Sequence, residues 1–495
     1  MSVRCSGWPR RAIPLAVLLL LSGCALLGLR EPAFSARMTR ATLDNGLTIL
    51  VFPKPGSPVA ATMVWYDVGS KEEAAGETGY AHFLEHMMFK GAGRFGRGDI
   101  DRLTQKNGGQ NNAFTGTDST ACFFAFPAET WDAALPVLSA QMRGLTLAPS
   151  EVDLERGPIL RELKTALDEP WNRLSIRLCE QMFGKHGYAH PIHGWEKDIL
   201  AATPESLRKF FAGRFGPNRA VFVAVGDLDP AEVVSRVRRE FGDIPKVGAR
   251  PATESARRPK GGGANIQFED SILKAPRILL GFPSCRVGDS EDYALDFVSE
   301  ALTGGRTGRL HRRLVEKDQL ATAVETQNDC RRDPGAFWIM IECHPGSDPE
   351  RALEAAMDEI EKIRAEGPAA LEMERAKNRF RASFVRRKQT SLGLATDIGE
   401  FETLAGVRYL DEYIDRMERV TPEQIRAVIG DILDPKKASV GIGLPKPEGG
   451  RAPKSRGSAR REGPPAAQAW AARAAGRDGA GAGGAGKDDS LPVDA

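Results

Sequence analysis

The sequence predicts an α+β protein of two similar halves, each a mainly antiparallel sheet covered by helices. Three observations predict it. Strand and helix patterns alternate over residues 39–248 and again over residues 266–445. Between these blocks, residues 249–265 are polar and rich in glycine, ending near Gly261-Gly262-Gly263, and read as a linker. Anchors of the first block also recur in the second. The run from Tyr80 to His86 aligns with Tyr293 to Ser299, and Glu155-Arg156 aligns with Glu374-Arg375.

Each element has its own signal. Asp44-Asn45-Gly46 is a turn that feeds a strand at 47–52, and a further strand is expected at 60–68. Helical spacing marks 79–90 and 98–107, and short strands are expected at 112–115 and 119–126. The near-continuous apolar stretch from Thr120 to Phe126 suits a strand covered by helices on one face. Helices follow at 129–143, 149–168, 204–213 and 230–241, with a strand at 219–226. The second block reads as strands at 275–282, 320–328, 336–343 and 437–443, with helices at 290–303, 305–317, 349–365, 368–389 and 421–432. Residues 446–495 carry almost no large apolar side chain, cannot offset the entropy of ordering, and are expected to be disordered.

The first residues read as a targeting segment. Arg4, Arg10 and Arg11 precede a short apolar core from Ala12 to Leu21, too short to span a bilayer. Leu21-Ser22-Gly23-Cys24 resembles a bacterial lipobox, which makes residues 1–23 a lipoprotein signal, Cys24 the lipidation site and residues 24–38 a tether. Ala25 after the cysteine favours the outer membrane in that system, so the expected location is the periplasmic face of the outer membrane on a lipid anchor. An ordinary secretory signal, giving a soluble periplasmic or secreted protein, is the alternative.

Composition excludes other classes. With 68 basic and 66 acidic residues the net charge is +2, which makes no electrostatic case for nucleic acid. Apart from Cys5 and Cys24, five cysteines remain (Cys122, Cys179, Cys285, Cys330 and Cys343), with no C-x-x-C, so no disulfide framework or thiolate zinc site is implied. A tight hairpin at Arg332-Asp333-Pro334-Gly335 would leave Cys343 out of reach of Cys330, so buried free thiols are expected.

The chemistry is concentrated in His82-Phe83-Leu84-Glu85-His86, an H-x-x-E-H pentad in a chain with seven histidines. Residues four apart stack on one helical face, so His82 and His86 can offer imidazole nitrogens to one metal ion. Glu85 lies on nearly the same face, within reach of a water molecule activated by that metal. Hydrolytic zinc sites take three protein ligands and leave one position open. The segment from Leu154 to Lys164 offers two carboxylates for the third place, Glu155 and Glu162, and the residues alone do not choose between them. Glu151 and Glu169 read as solvated. His186, His190 and His193 form a second group, but Gly187 and Pro191 break any helix there, so a satisfied loop is expected.

The segment Gly79 to Gly91 resembles the signature helix of the M16 (pitrilysin and mitochondrial processing peptidase-like) zinc peptidases, and Glu155 to Glu162 resembles that family's E-R-x-x-x-x-x-E helix. The resemblance covers roughly residues 39–445. It implies a LuxS/MPP-like metallohydrolase fold with residues 39–248 as the catalytic half and 266–445 as a non-catalytic half. It implies one zinc ion per chain on His82, His86 and Glu162, with Glu155 supporting the ligands from behind and Glu85 as general base. Asn107 to Thr115 resembles the family's G-G-x-x-N-A segment, which makes Asn111, Asn112, Ala113 and Phe114 the strand edge against which an extended peptide lies. The implied activity is a metalloendopeptidase acting on unfolded peptides or protein segments, and the rival is a non-catalytic assembly subunit of a membrane-associated complex that kept the fold. One departure matters. Many members carry an Arg and a Tyr near the zinc from the second half, whereas Val315 and Thr322 stand at those places here. Arg312 or Arg313 would have to substitute, or a partner subunit would supply the pair. The favoured expectation is a dimer, either with a second copy or with a zincless homologue.

Overall fold

The computed structural model of the protein describes residues 33–248, 258–259, 261–262 and 264–446. Cys24, the expected signal and the expected tether up to residue 32, most of the expected linker and residues 447–495 lie outside the described residues. Two mixed sheets organise the rest.

The first sheet has six strands in the order β1 (Thr39–Thr42), β2 (Thr48–Pro53), β6 (Ala220–Gly226), β3 (Val59–Tyr66), β5 (Thr120–Pro127) and β4 (Gln110–Thr115). Only β2 and β6 run parallel; the remaining neighbours are antiparallel. The second has five strands in the order β7 (Asn265–Asp270), β11 (Ser439–Pro445), β8 (Arg277–Pro283), β10 (Ala336–Cys343) and β9 (Ala321–Asp329). Here too a single parallel pair, β7 and β11, joins the first and last strands of the half. Set β2 against β7 and β6 against β11, and every later strand of the first sheet finds its counterpart in the second. The internal repeat is thus written in the topology as well as in the anchors.

The helices repeat in the same sense. In the first half they are α1 (Tyr80–Met87), α2 (Asp99–Lys106), α3 (Leu135–Arg143), α4 (Pro149–Asp168), α5 (Pro170–Phe183), α6 (Glu196–Ala201), α7 (Pro204–Arg214) and α8 (Pro230–Phe241). In the second they are α9 (Ser290–Thr303), α10 (Pro349–Glu366), α11 (Ala370–Arg387), α12 (Ser391–Leu404), α13 (Arg408–Arg419) and α14 (Pro422–Ile432). Two expected helices are altered. The stretch 129–143 is a tight 3-10 segment at Ala128–Ala134 that turns into α3, where Pro136 sits in the first turn. The stretch 305–317 becomes a 3-10 turn at Gly305–Thr307 and a π-helix at His311–Lys317.

The sheets are covered on both faces, not one. One face of the first sheet packs Ile49, Val64, Phe124 and Phe222 against Phe83, Leu138, Phe210 and Phe241 of its own helices. Its other face packs Leu50, Met63, Trp65 and Val223 against Leu394, Ala395 and Ile398 of α12, a helix of the second half. The exchange is mutual. In return α5, from the first half, lays Leu174, Leu178 and Phe183 on Leu279 and Trp338 of the second sheet. Burial on both faces explains why β5 reads as an almost unbroken apolar run instead of alternating.

Candidate metal centre

α1 carries the pentad, and its entry is built tightly. Gly79 precedes it in a left-handed conformation at φ 88°, and a Cβ there would meet the carbonyl oxygen of His193 at 2.5 Å. The carboxylate of Glu73 accepts hydrogen bonds from the Gly79 amide at 2.7 Å and the Ala81 amide at 2.8 Å, satisfying free donors at the helix start. Burial pushes the Glu73 carboxyl well above its usual range, and these two amides oppose the shift.

Four residues apart on α1, the rings of His82 and His86 meet edge to face with centroids 4.7 Å apart. Their Nε2 atoms lie 3.3 Å apart. Oε2 of Glu162, from α4, is 3.4 Å from Nε2 of His82 and 3.3 Å from Nε2 of His86. Three donors at nearly equal spacing suit one small cation. A tetrahedral zinc ion with bonds of about 2.0–2.1 Å requires ligand spacings of about 3.3–3.4 Å. The residues present therefore fit the ion on geometry alone, and among the described residues this is the one such cluster of histidine, cysteine or carboxylate donors. Burial, then the neighbouring His86 and His193, push the His82 imidazole down to about 3, so it is held neutral, the form that donates a lone pair.

The surroundings order these donors. Glu155, the carboxylate the residues alone could not separate from Glu162, points to the far side of the ring: its Oε1 meets Nδ1 of His86 at 3.0 Å. Its Oε2 meets Nζ of Lys90 at 2.9 Å. Burial raises the Glu155 carboxyl, but hydrogen bonds from His86 and Lys90 outweigh it and leave it below its usual range. Glu85 turns toward the sheet, where its Oε2 accepts a hydrogen bond of 2.6 Å from the Thr115 hydroxyl. Burial lifts the Glu85 carboxyl above its usual range, with the Thr115 bond pulling the other way.

Thr115 ends β4, an outermost strand of the first sheet, which among the described residues pairs with β5 alone. The expected substrate edge thus begins at the metal helix. Along it Asn112 and Phe114 are exposed, Ala113 is buried, and Asn111 donates to the Thr104 hydroxyl of α2 at 2.6 Å. The Ala113 amide donates to its neighbour's side-chain oxygen, Oδ1 of Asn112, at 2.9 Å. Phe114 rests edge-on against Trp65 with centroids 5.2 Å apart.

Some placements depart from expectation. Of the three loop histidines, His186 meets Asp333 at 3.3 Å, as a satisfied loop would, while His190 is satisfied only in part: its Nδ1 meets the Pro191 carbonyl at 3.1 Å, but its buried Nε2 meets no hydrogen-bond partner among the described residues. His193 instead packs its ring on His82, with centroids 4.9 Å apart. The reason is the Gly194 turn, which is pressed against the Thr78 and Gly79 backbone at the mouth of α1. Glu169 is no solvated side chain either: it caps α5 by accepting from the Trp171 and Asn172 amides, and pairs with Arg277 at 2.7 Å. Glu151 is half-buried, 3.6 Å from Arg97. Cys330 is only half-buried, while the other four described cysteines are buried. Val315 packs into the second core, Thr322 bonds the Glu342 carbonyl, and Arg313 pairs with Asp318, all within the second half. Sequence reasoning passed over Thr115, Lys90 and Glu73 as partners of the site, because their roles depend on contacts and not on spacing.

A two-lobed α/β chain with two imidazoles and a carboxylate converging beside a further glutamate is the architecture of a metallopeptidase-type site. The family profile described as Insulinase (Peptidase family M16) matches residues 48–195, and the Peptidase M16 inactive domain profile matches residues 201–380. The chain belongs to peptidase family M16. An uncharacterized zinc protease of Streptomyces coelicolor is 29% identical over 400 residues, covering 80% of this chain and 87% of that protein. The zinc protease PqqE of Helicobacter pylori is 25% identical over 403 residues, covering 80% and 90%. Among solved structures, a protease from Helicobacter pylori superposes with a TM-score of 0.78 at 23% identity, over 82% of this chain and 99% of that one. A peptidase M16 inactive domain from Pseudomonas fluorescens gives 0.75 at 19% identity, over 83% and 98%. At these identities the structures speak for the fold.

Proposed function

We propose that the chain is a zinc-dependent endopeptidase that hydrolyses unfolded peptides or protein segments. In this reading residues 39–248 form the catalytic half and residues 266–445 help to enclose the substrate. The observation that carries it is the triangle of His82, His86 and Glu162 donors with edges of 3.3–3.4 Å, with Glu85 one residue from His86 on the same helix. His82, His86 and Glu162 would hold one Zn2+ per chain. When bound, the ion supplies a Lewis acid that polarises the scissile carbonyl and eases ionisation of water.

The chain's own groups do the rest. Glu85, aimed by Thr115, accepts a proton from the attacking water and returns it to the leaving amine. Glu155 holds His86 through Nδ1, keeping its Nε2 lone pair toward the ion. An extended peptide added beside Asn111, Asn112, Ala113 and Phe114 would pair its backbone with the open edge of β4 and run toward Glu85. Such pairing reads few side chains, so the preference expected is for unfolded segments over a particular sequence. Val315 and Thr322, in place of a polar pair, support a dimer with a second copy or with a zincless homologue. The lipobox-like Leu21 to Cys24 supports a lipid anchor at the periplasmic face of the outer membrane, with a soluble periplasmic or secreted form as alternative.

A second reading is a non-catalytic assembly subunit, favoured by the inactive-domain profile over residues 201–380. Glu85→Gln separates the two. The variant should bind zinc as the parent does and lose cleavage of quenched peptides by about a hundredfold or more. Unchanged behaviour of Glu85→Gln in a peptide assay, or parent protein inert with zinc loaded, would reject the peptidase reading.

A further inference from the structure

Away from the metal centre, two cysteines that sequence reasoning left unpaired stand together. Sγ of Cys285 lies 3.3 Å from Sγ of Cys330. The contact is built by the backbone. Arg286 and Arg331 pair as a parallel bridge, so the residues just before them stand side by side. Neighbouring strands lie about 4.8 Å apart, inside the Cα separations of roughly 4.4–6.8 Å that a disulfide spans. The amide of Ser284 donates to the Gly335 carbonyl, the Gly335 amide to the Cys285 carbonyl, and the Val287 amide to the Arg331 carbonyl, at 2.9, 3.1 and 2.9 Å. Both thiols are therefore fixed on either side of the gap.

We infer that Cys285 and Cys330 are an oxidation site, joined by a disulfide that fastens the start of the β9–β10 turn to the segment just after β8. The hairpin matters because its tip crosses to the other half. Arg332 reaches Asp67, Asp333 meets Nζ of Lys71 at 2.9 Å, and the Asp333 amide donates to the Tyr188 hydroxyl at 3.1 Å. Lys71 begins the short segment that continues through Glu73, the carboxylate capping the metal-bearing helix. A bond at residues 285 and 330 would hold the base of this latch.

The step balances with a disulfide oxidant, either glutathione disulfide or a protein disulfide. Cys330, half-exposed, loses its proton and attacks one sulfur of the oxidant, expelling the first thiol. Cys285 loses its proton, attacks Cys330 Sγ and expels the second thiol. Two chain thiols are oxidised, one oxidant disulfide becomes two thiols, and the two protons leave with them. The neighbouring Cys285 thiol, then burial, push Cys330 far above the usual thiol range, so exchange is slow in the closed structure and fastest while the chain folds.

The test uses the full chain, reduced and then held in oxidised glutathione with and without mild denaturant. Free thiols are alkylated and the protein is digested without reductant for mass spectrometry. The expected result is one cross-linked peptide pair joining residues 285 and 330, with Cys122, Cys179 and Cys343 alkylated. The amides of Arg331, Arg332, Asp333 and Gly335 should exchange hydrogen several-fold more slowly after oxidation. Cys343→Ser should keep the link and Cys330→Ser should abolish it. A glutathione adduct that stays on Cys330, a link from Cys330 to any other cysteine, or both thiols still unlinked with denaturant as well as without it would overturn the assignment, and the parent chain alone suffices to show any of these.

Discussion

Nδ1 of His86 and Oε1 of Glu155 lie 3.0 Å apart, joining α1 to α4 behind the donor triangle. The same two helices meet again in front of it, through Glu162. Glu155 thus fixes the tautomer and pitch of a ring whose other nitrogen faces His82 and Glu162. Replacing such a partner weakens metal binding about 10–100-fold in known sites. Glu155→Leu should therefore lower zinc affinity by about that factor in a chelator competition, and Glu155→Gln, which can still accept from His86, should lower it less. Equal zinc affinity in parent and Glu155→Leu would contradict the role.

The Glu85–Thr115 contact predicts a pH dependence. A general base works only when ionised, so cleavage falls as pH drops through the Glu85 pKa. Burial raises that pKa and the Thr115 hydroxyl lowers it. Removing the hydroxyl in Thr115→Val should raise it further, moving the acid limb of kcat/KM to higher pH. A bound cation lowers the pKa in parent and variant alike, so the difference between their profiles is the quantity to measure. An acid limb that stays put or moves to lower pH would show that Thr115 does not act on Glu85.

How the site and fold could be read from the chain follows from these contacts. The pentad announces itself because four-residue spacing fixes His82 and His86 on one face before any tertiary contact exists. Glu162 does not, since Glu155 satisfies the same spacing argument and only the packing of α4 across α1 sends one to each side of His86. His193 was visible as a histidine and misjudged because its place depends on the Gly194 turn docking at Thr78. The same holds for the fold. The strands of both cores read clearly from their apolar runs. α5 and α12 were passed over: each lays its apolar face on the sheet of the other half, so no neighbour in sequence explains it, and Gly393 and Gly399 weaken the helical signal of α12. β1 and β7 are short edge strands with exposed polar residues, which leaves them little alternation to read.

The open edge of β4 can be tested by removing one donor. The Ala113 amide is bonded to the Asn112 side chain, a contact that a peptide laid on the edge would displace. Ala113→Pro deletes the N–H, and proline is tolerated on edge strands. One backbone hydrogen bond is worth about 0.5–1.5 kcal/mol net. kcat/KM on an unfolded substrate should fall by about three- to tenfold through KM, with the thermal midpoint close to the parent's. A loss confined to kcat would place the substrate elsewhere.

The exchange of helices between halves makes its own demand, at Gly399. This residue sits in α12 against the first sheet, where an added Cβ would clash with Nε1 of Trp65. Two effects oppose each other in Gly399→Ala. Alanine gains about 1 kcal/mol in helix propensity over glycine. Overpacking a filled core costs about 1–3 kcal/mol, and more where the obstacle is a rigid ring rather than a flexible tip. Trp65 is buried at 2% exposure and cannot rotate away, so the clash prevails. The variant should unfold at a temperature lower by several degrees. Because α12 belongs to the second half but covers the first, and α5 does the reverse, the loss should appear in one transition of the whole chain. Calorimetry that split Gly399→Ala into two transitions, with the first half alone shifted, would show that the halves fold independently despite the exchange.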